Sequence, residues 1–518
     1  MNLMSKIEIG DSNRNKNLLL VFIIGLGFLI RVYKLGIHDL WHDEAVSYML
    51  IKFFSLNQKL YMLTSPHPPL YQVFLAAWMY LVGETEYALR LMSVIFGLIS
   101  IALTYKLGNL YGGKKTGVAG AFLMAVSPMH IWYSQEARAY VMLSTLILAS
   151  MCAFLELLIK NKSPHFKYFT IFSILSVYTH YFSLIVLLSG IIILIFKMPR
   201  SLLRGWFYSY AIIFISFLPI LPIFLSQLKD RGTFFWIPVP TPYSIFTTFA
   251  NITLGYNMDK FSGIIMVCLC LYLCILGLVR LKAERMVTSI FWTLILLPIA
   301  SVFFVSKLYA PVYIDKYLLS IAPLYYILIA GGLITIKNII VRRAIFSFMC
   351  IIIFFAIRNY FSGYLPADNY VAANRKEPVE PAVHYVNENL KEGDVIAHTN
   401  NCASPQFFYY FVKNKMDINK IRKISRIVYI PDHLRTWYRE KLSTGQGLPL
   451  LSPLDLSRKD LNLSIFKRIW IISSAMNRSA ELWPNSIAVR KFMHEKCKLI
   501  DSKNINGIYI DLYASCYN

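Results

Sequence analysis

Apolar runs of about 17–23 residues, separated by short polar connections, recur along this chain as far as Tyr360. Each is long enough to cross a ~30 Å hydrocarbon layer as a helix. In lipid every backbone N–H and C=O must be satisfied within the chain, so such runs can only be helices. With 57% hydrophobic and 15% charged residues, an ordinary soluble enzyme is excluded. The first run, Asn17 to Tyr33, is followed by no small-residue cleavage site and reads as a retained helix. From about Ser362 to Asn518 charge is frequent and the apolar runs shorten. The expectation is an α-helical polytopic membrane domain over 1–361 and a soluble α/β domain over 362–518.

The net charge of +24 would suit a nucleic-acid partner, but its distribution argues for none. Much of it falls between apolar runs, as at Lys114 and Lys115, at Lys160, Lys162 and Lys167, at Lys197, Arg200 and Arg204, and at Lys337, Arg342 and Arg343. That is the positive-inside pattern. Placing every basic cluster in the cytoplasm gives about eleven spans. They lie at about 17–35, 89–111, 117–133, 139–160, 167–181, 182–197, 206–226, 261–281, 287–305, 317–336 and 343–360, with 362–518 outside the cytoplasm. Residues 36–88 form one long outer loop, in which Pro69–Val82 reads as a helix at the membrane interface. The chain is thus expected to be a multi-pass protein of the cell membrane with an extracytoplasmic terminal domain.

On that topology the acids and cations that orientation does not explain fall on the outer face. They include Asp43 and Glu44, the segment Tyr133 to Arg138 with Glu136, the turn at His180, and Asp315-Lys316. Two adjacent carboxylates just outside the lipid can take a proton, hold a cation or position a sugar hydroxyl. In the terminal domain, Pro381–Leu390, Phe407–Val412 and Ser486–Glu495 read as helices. Residues 394–397, Arg426–Ile430 and Arg468–Ser473 read as strands. Cys497 and Cys516 flank two strand-like runs, Lys498–Asp501 and Ile505–Tyr513, and are placed to pair across them if the domain lies outside the cytosol. No CxxC or His/Cys metal spacing, Gly-rich phosphate loop or nucleophile elbow appears.

Several motifs together resemble a known family: Arg31 with Trp41-His42-Asp43-Glu44-Ala45, then His67-Pro68-Pro69-Leu70-Tyr71. Gly83-Glu84-Thr85-Glu86-Tyr87-Ala88-Leu89-Arg90 and Ser127-Pro128-Met129-His130-Ile131-Trp132-Tyr133-Ser134-Gln135-Glu136-Ala137-Arg138 complete the set. They are similar to the protein O-mannosyltransferase and aminoarabinose-transferase branch of the GT-C glycosyltransferases over residues 20–330. The resemblance implies a GT-C membrane architecture. It also implies inverting transfer of a sugar from a polyprenyl-phosphate donor to a lipid, protein or polysaccharide acceptor on the outer face. By position it makes Asp43 the essential first-loop acid, Glu44 its partner, Glu136 a second acid and Arg90 the arginine opening the second helix. Where relatives read Arg-Tyr-Leu, this chain has Lys316-Tyr317-Leu318, which keeps the charge and loses the bidentate fork.

The chemistry asks for the same parts. Glycosyl transfer needs a base for the acceptor hydroxyl and stabilisation of a departing lipid phosphate. Asp43 is the candidate base; Arg138, Lys316 and Arg90 are candidate phosphate contacts, with Lys229 or Arg231 as further cations. His67, Tyr133 and His180 are candidate substrate contacts, and a divalent cation held by His67 or His180 with a carboxylate stays open. Each has a structural alternative: Arg31 and Arg90 snorkel, Glu136 pairs with Arg138, the histidines pack, and Trp41, Tyr133 and Trp236 anchor at the interface. The sequon at Asn251 proves nothing about glycosylation. A secondary transporter coupling ions through the acids is the rival function, yet transporters carry such charges mid-membrane on broken helices in repeated halves, and no repeat is visible here. A scaffold presenting the terminal domain is a third reading, and it requires no gathering of acids and cations.

Overall fold

The computed structural model describes residues 4–54, 67–160, 165–197, 200–229, 237–280, 285–363, 378–399, 403–429, 452–456, 463–474 and 484–516. Arg231, Trp236, Ile430 and Cys402 lie outside these, as does the side chain of Lys229. The chain divides into two compact units. One is Met1–Leu35 with His67–Ala372; the other is Gly36–Pro66 with Ala373–Asn518. The loop from Gly36 goes with the terminal unit, which a boundary drawn on composition alone at 361–362 does not reveal.

The helices of the described chain run in order α1 (Met4–Val32), α2 (His42–Phe54), α3 (Leu70–Val82), α4 (Glu86–Ala125), α5 (Pro128–Ser134), α6 (Ala139–Lys160), α7 (His165–Thr179) and α8 (Phe182–Lys197). They continue as α9 (Leu203–Phe217), α10 (Leu221–Lys229), α11 (Pro242–Leu254), α12 (Lys260–Arg280), α13 (Arg285–Leu308), α14 (Ala322–Thr335) and α15 (Ile339–Ser362). Among the described residues, seven segments are long and apolar enough to cross a membrane, and α1, α3 and α8 add shorter apolar helices. The expected spans each overlap a helix, with four differences, the last being that the tenth opens as the 3-10 helix Asp315–Ile321. The second and third belong to α4, which breaks at Gly112–Gly113, where Gly113 takes φ 77. The third ends at Ala125 and not 133, because Ser127 starts α5 by accepting a hydrogen bond from the His130 N–H. The seventh is interrupted by a 3-10 turn at Leu218–Ile220 around Pro219. At 13 residues α3 is about 20 Å long, short of the ~30 Å needed to span.

Burial separates inner from outer helices. In α6 94% of the apolar window is buried, against 17% in α15. A helix hydrophobic all round but largely uncovered faces lipid, so α6 and α14, with α4 next, form the centre. Polar pairs stitch it together, such as Ser100 with Thr145 (2.7 Å) and Ser150 with Ser173 (2.8 Å). The buried Glu156 is held by Lys106 at 3.1 Å and His165 at 3.3 Å.

The terminal unit adds α16 (Glu380–Asn389), β1 (Asp394–His398), α17 (Ser404–Lys413), α18 (Ile418–Ile424), β2 (Ser425–Tyr429), β3 (Ser452–Asp455), β4 (Arg468–Ser474), α19 (Pro484–Lys496), β5 (Lys498–Ile505) and β6 (Ile508–Ala514). The sheet order is β3-β2-β1-β4-β6-β5. β3, β2, β1 and β4 are parallel, and β6 and β5 complete the sheet antiparallel. This is the α/β layering read from the sequence, with β3 and α18 missed there. Ala397, Ile469 and Ile471 pack against Val489 and Met493 of α19 on one face. His398 meets Phe407 of α17 on the other. Cys497 and Cys516 form a disulfide flanking the β5–β6 hairpin.

Candidate active site

The expected site residues divide between the units. In the terminal unit, Asp43 and Glu44 stand in the first turn of α2. That end of a helix favours carboxylates, because its first N–H groups point outward. Adjacent helical residues project about 100° apart, and the two acids differ accordingly. Asp43 is partly exposed, whereas Glu44 is 1% exposed and its Oε2 accepts the Trp41 N–H at 3.2 Å. Glu44 thus makes one arm of a capping box, from the third helical residue back to the N-cap.

The other candidates lie in the helical unit, and several come together there. Arg138, 9% exposed, sits in the bend after α5, and its N–H donates to the Glu136 carbonyl at 2.8 Å. Lys316, 7% exposed, lies on the 3-10 helix Asp315–Ile321. Both cations face the ring of Tyr140, with the Arg138 guanidinium carbon at 5.7 Å and Lys316 Nζ at 5.0 Å from its centroid. Cations this deeply buried are not a solvated face. Around them stand His180, whose ring lies 4.8 Å from Tyr317, and His67, 4.6 Å from His180.

Both histidines are neutral. Burial first, then the charges of Arg138 and Lys316, hold His180 down at about 3. Burial, His180 and the same two cations hold His67 well below its usual range. His180 Nδ1 accepts the Phe182 N–H at 3.1 Å, so its proton is on Nε2, which is buried with no hydrogen-bond partner among the described residues. Two cations and a neutral imidazole N–H make an arrangement that can hold an anion. Among the described residues no three of His, Cys, Asp and Glu gather as a metal-binding group.

Glu136 accepts Trp132 Nε1–H at 2.7 Å. Tyr133 shares a hydrogen bond of 2.8 Å with Tyr256, and burial pushes its phenol well above the usual range, so it stays a neutral donor. Asp315, noted in the sequence beside Lys316 but given no role there, accepts from Thr248 at 2.8 Å and from Asn251. That bond occupies the sequon asparagine. Beside Asp315 opens a cavity of about 530 Å³ lined by Tyr243, Phe246, Leu254, Met258 and Phe261, with Lys260 among its walls.

Two arginines make buried contacts with the framework. Arg31 is fully buried and does not snorkel. It donates to the carbonyls of Gly27, Met124 and Ala125 and to Ser134, so it closes the end of α4 against α1. Its Nη2 lies 3.0 Å from His130 Nδ1, which must therefore accept. Arg90, also fully buried, donates to the Leu35 carbonyl at 2.8 Å beyond the end of α1. Gln135 ties the same region together: its amide donates to the carbonyls of Arg31 and Tyr33 and accepts from Tyr360.

Residues 66–223 match the family of dolichyl-phosphate-mannose-protein mannosyltransferases. The fold is similar to that of ArnT from Cupriavidus metallidurans in the apo state, with a TM-score of 0.63 at 9% identity over 95% of this chain and 97% of that one. ArnT bound to undecaprenyl phosphate aligns at a TM-score of 0.57, 10% identity and the same coverage. An oligosaccharyltransferase from Archaeoglobus fulgidus aligns at 0.47 and 14% identity over 72% of this chain and 56% of that one. No curated protein matches the sequence. The family match over residues 66–223 and the fold shared with ArnT together make this chain similar to the polytopic membrane glycosyltransferases of the GT-C type.

Proposed function

We propose that this protein transfers a sugar from a polyprenyl-phosphate donor to a lipid, protein or polysaccharide acceptor on the extracytoplasmic face of the cell membrane, with inversion. The observation that carries the reading is the buried pair Arg138 and Lys316, both over the Tyr140 ring, with the neutral His180 ring close enough to feel both charges. A lipid-linked phosphate diester is an anion that enters from the bilayer, and this site offers charge together with a fixed donor. The solved ArnT complex with undecaprenyl phosphate supports the choice of lipid class. The aromatic and aliphatic cavity beside Asp315 is suited to an apolar tail.

In this mechanism Asp43 takes the proton of the acceptor hydroxyl as its oxygen bonds to the anomeric carbon. The bond from that carbon to the phosphate oxygen breaks on the opposite face, which inverts the configuration. Charge gathers on the leaving phosphate, where Arg138, Lys316 and His180 stabilise it more in the transition state than in the ground state. His67, Tyr133 and Glu136 contact the sugar. Glu44 holds the helix that carries Asp43. The Cys497–Cys516 disulfide supports an oxidising compartment for the terminal unit, and hence an extracytoplasmic one.

Binding of undecaprenyl phosphate by the purified full chain, compared with the uncharged alcohol undecaprenol, tests the reading. The phosphate should bind more tightly by tenfold or more. Arg138→Ala should abolish that preference, Arg138→Lys should keep part of it, and Lys316→Arg should leave it nearly unchanged. Equal binding of phosphate and alcohol by the wild-type protein would contradict the assignment.

A further inference from the structure

The chain entering α2 is held more firmly than the packing of an amphipathic helix requires. Leu40, the second residue before α2, is fully buried, and both polar groups of its backbone are taken up by side chains of α17. Its N–H donates to Tyr410 Oη at 3.1 Å, and its carbonyl accepts from Gln406 Nε2 at 3.2 Å. Gln406 and Tyr410 are four residues apart on α17, one turn above another on the same face. On one side of Leu40, Asp39 Oδ2 accepts the Glu380 N–H at 2.7 Å at the start of α16. On the other, Trp41 donates its N–H to Glu44. Inside α2, Tyr48 meets Tyr409 edge to face, with ring centroids 4.8 Å apart.

Apolar residues alone would bury α2 against α17, and Tyr48, Phe408 and Tyr409 already do so. Two directional hydrogen bonds to the backbone of a single residue, one on each of its flanking peptide units, add something else. They fix where the helix begins and its rotation about its axis, and so the direction of its second residue, Asp43. We propose that Gln406 and Tyr410 of the terminal domain are positioning residues for Asp43, so that this domain serves catalysis by fixing the aim of the base. The proposal rests on the reading of Asp43 as base given above. A misplacement of about 1 Å can cost ~10²-fold in rate, which sets the size of effect such a clamp controls.

The test uses the full-length protein carrying Gln406→Met with Tyr410→Phe. These substitutions keep side-chain volume and the ring but remove both hydrogen bonds. Two readouts are taken: amide hydrogen exchange in the purified chain, and transfer in native membranes, measured from the ratio of sugar-charged to free polyprenyl phosphate. Exchange at residues 40–44 should speed by tenfold or more while β1 and β4 keep their protection, and transfer should fall ~10- to 100-fold. Added to Asp43→Asn, the pair should lower residual transfer no further, because a clamp acting through Asp43 has nothing left to aim. A general folding defect would lower it again. If β1 and β4 lose protection as well, Tyr410→Phe alone is read by the same criteria. Unchanged exchange at 40–44, or transfer within twofold of wild type while Asp43→Asn is inactive, overturns the proposal. If Asp43→Asn itself keeps more than a tenth of the activity, the assignment of the base fails instead.

Discussion

Asp43 and Glu44 are alike as residues and opposite in situation. A carboxylate that must collect a proton from an arriving hydroxyl needs access, and Asp43 keeps it; Glu44 is buried and already accepts from the backbone. Asp43→Asn should therefore lower transfer by ~10²–10⁴-fold with donor binding intact, since the amide keeps the shape but cannot take the proton. Glu44→Gln should be mild, because its amide oxygen still accepts the Trp41 N–H, while Glu44→Ala should cost ~0.5–2 kcal/mol of helix stability. Rates and donor binding measured on the three variants distinguish the roles. Asp43, Arg138, Lys316 and His180 all stood out in the sequence, because charged or titratable residues between the apolar runs of such a chain demand explanation. The partners that give them meaning were not. Tyr140 reads as one more apolar helix residue, and Arg31 and Arg90 look like interfacial arginines until the carbonyls they hold are seen.

At the scale of elements, the centre depends on how closely helices approach. α12 and α14 cross at Gly277 and Gly332. A Cβ on Gly332 would lie 1.8 Å from the Leu273 carbonyl oxygen, and one on Gly277 would lie 2.9 Å from the Gly332 nitrogen. Backbones in such contact leave no room for even a methyl group, as in other tightly crossed membrane helices. Gly332→Ala should separate the pair and destabilise the helical unit by about 1–3 kcal/mol, seen as a lower melting temperature in detergent. Gly25, with nothing within 4 Å of its would-be Cβ, should accept alanine without loss. Hydropathy located the apolar helices, since length and composition carry that signal. It could not locate the break at Gly112–Gly113 or the start of α5 at Ser127, which depend on single glycine and capping residues within continuous apolar sequence.

For the whole molecule, composition separated a membrane part from a terminal α/β part. It did not reveal that Gly36–Pro66 folds with the terminal unit, because that pairing joins segments more than 300 residues apart, as Asp39 with Glu380 shows. The terminal unit also carries an acid-sensitive element. Burial holds His398 down at about 3, against ~6.5 for the unfolded chain. Between those values the unfolded chain binds the extra proton, so stability is lost as pH falls from about 6.5 towards 3, by up to ~1.4 kcal/mol per pH unit. His398→Leu should flatten that part of the pH dependence in melts of the full chain; an unchanged slope would mean that another group carries it. The central claim is that Asp43 drives sugar transfer from a lipid phosphate, and mass spectrometry of lipids from cells carrying the wild-type protein or Asp43→Asn tests it most directly. The account predicts that a sugar-charged polyprenyl phosphate accumulates in the variant while a glycosylated acceptor disappears. Identical lipid and glycoconjugate profiles in the two strains would contradict it.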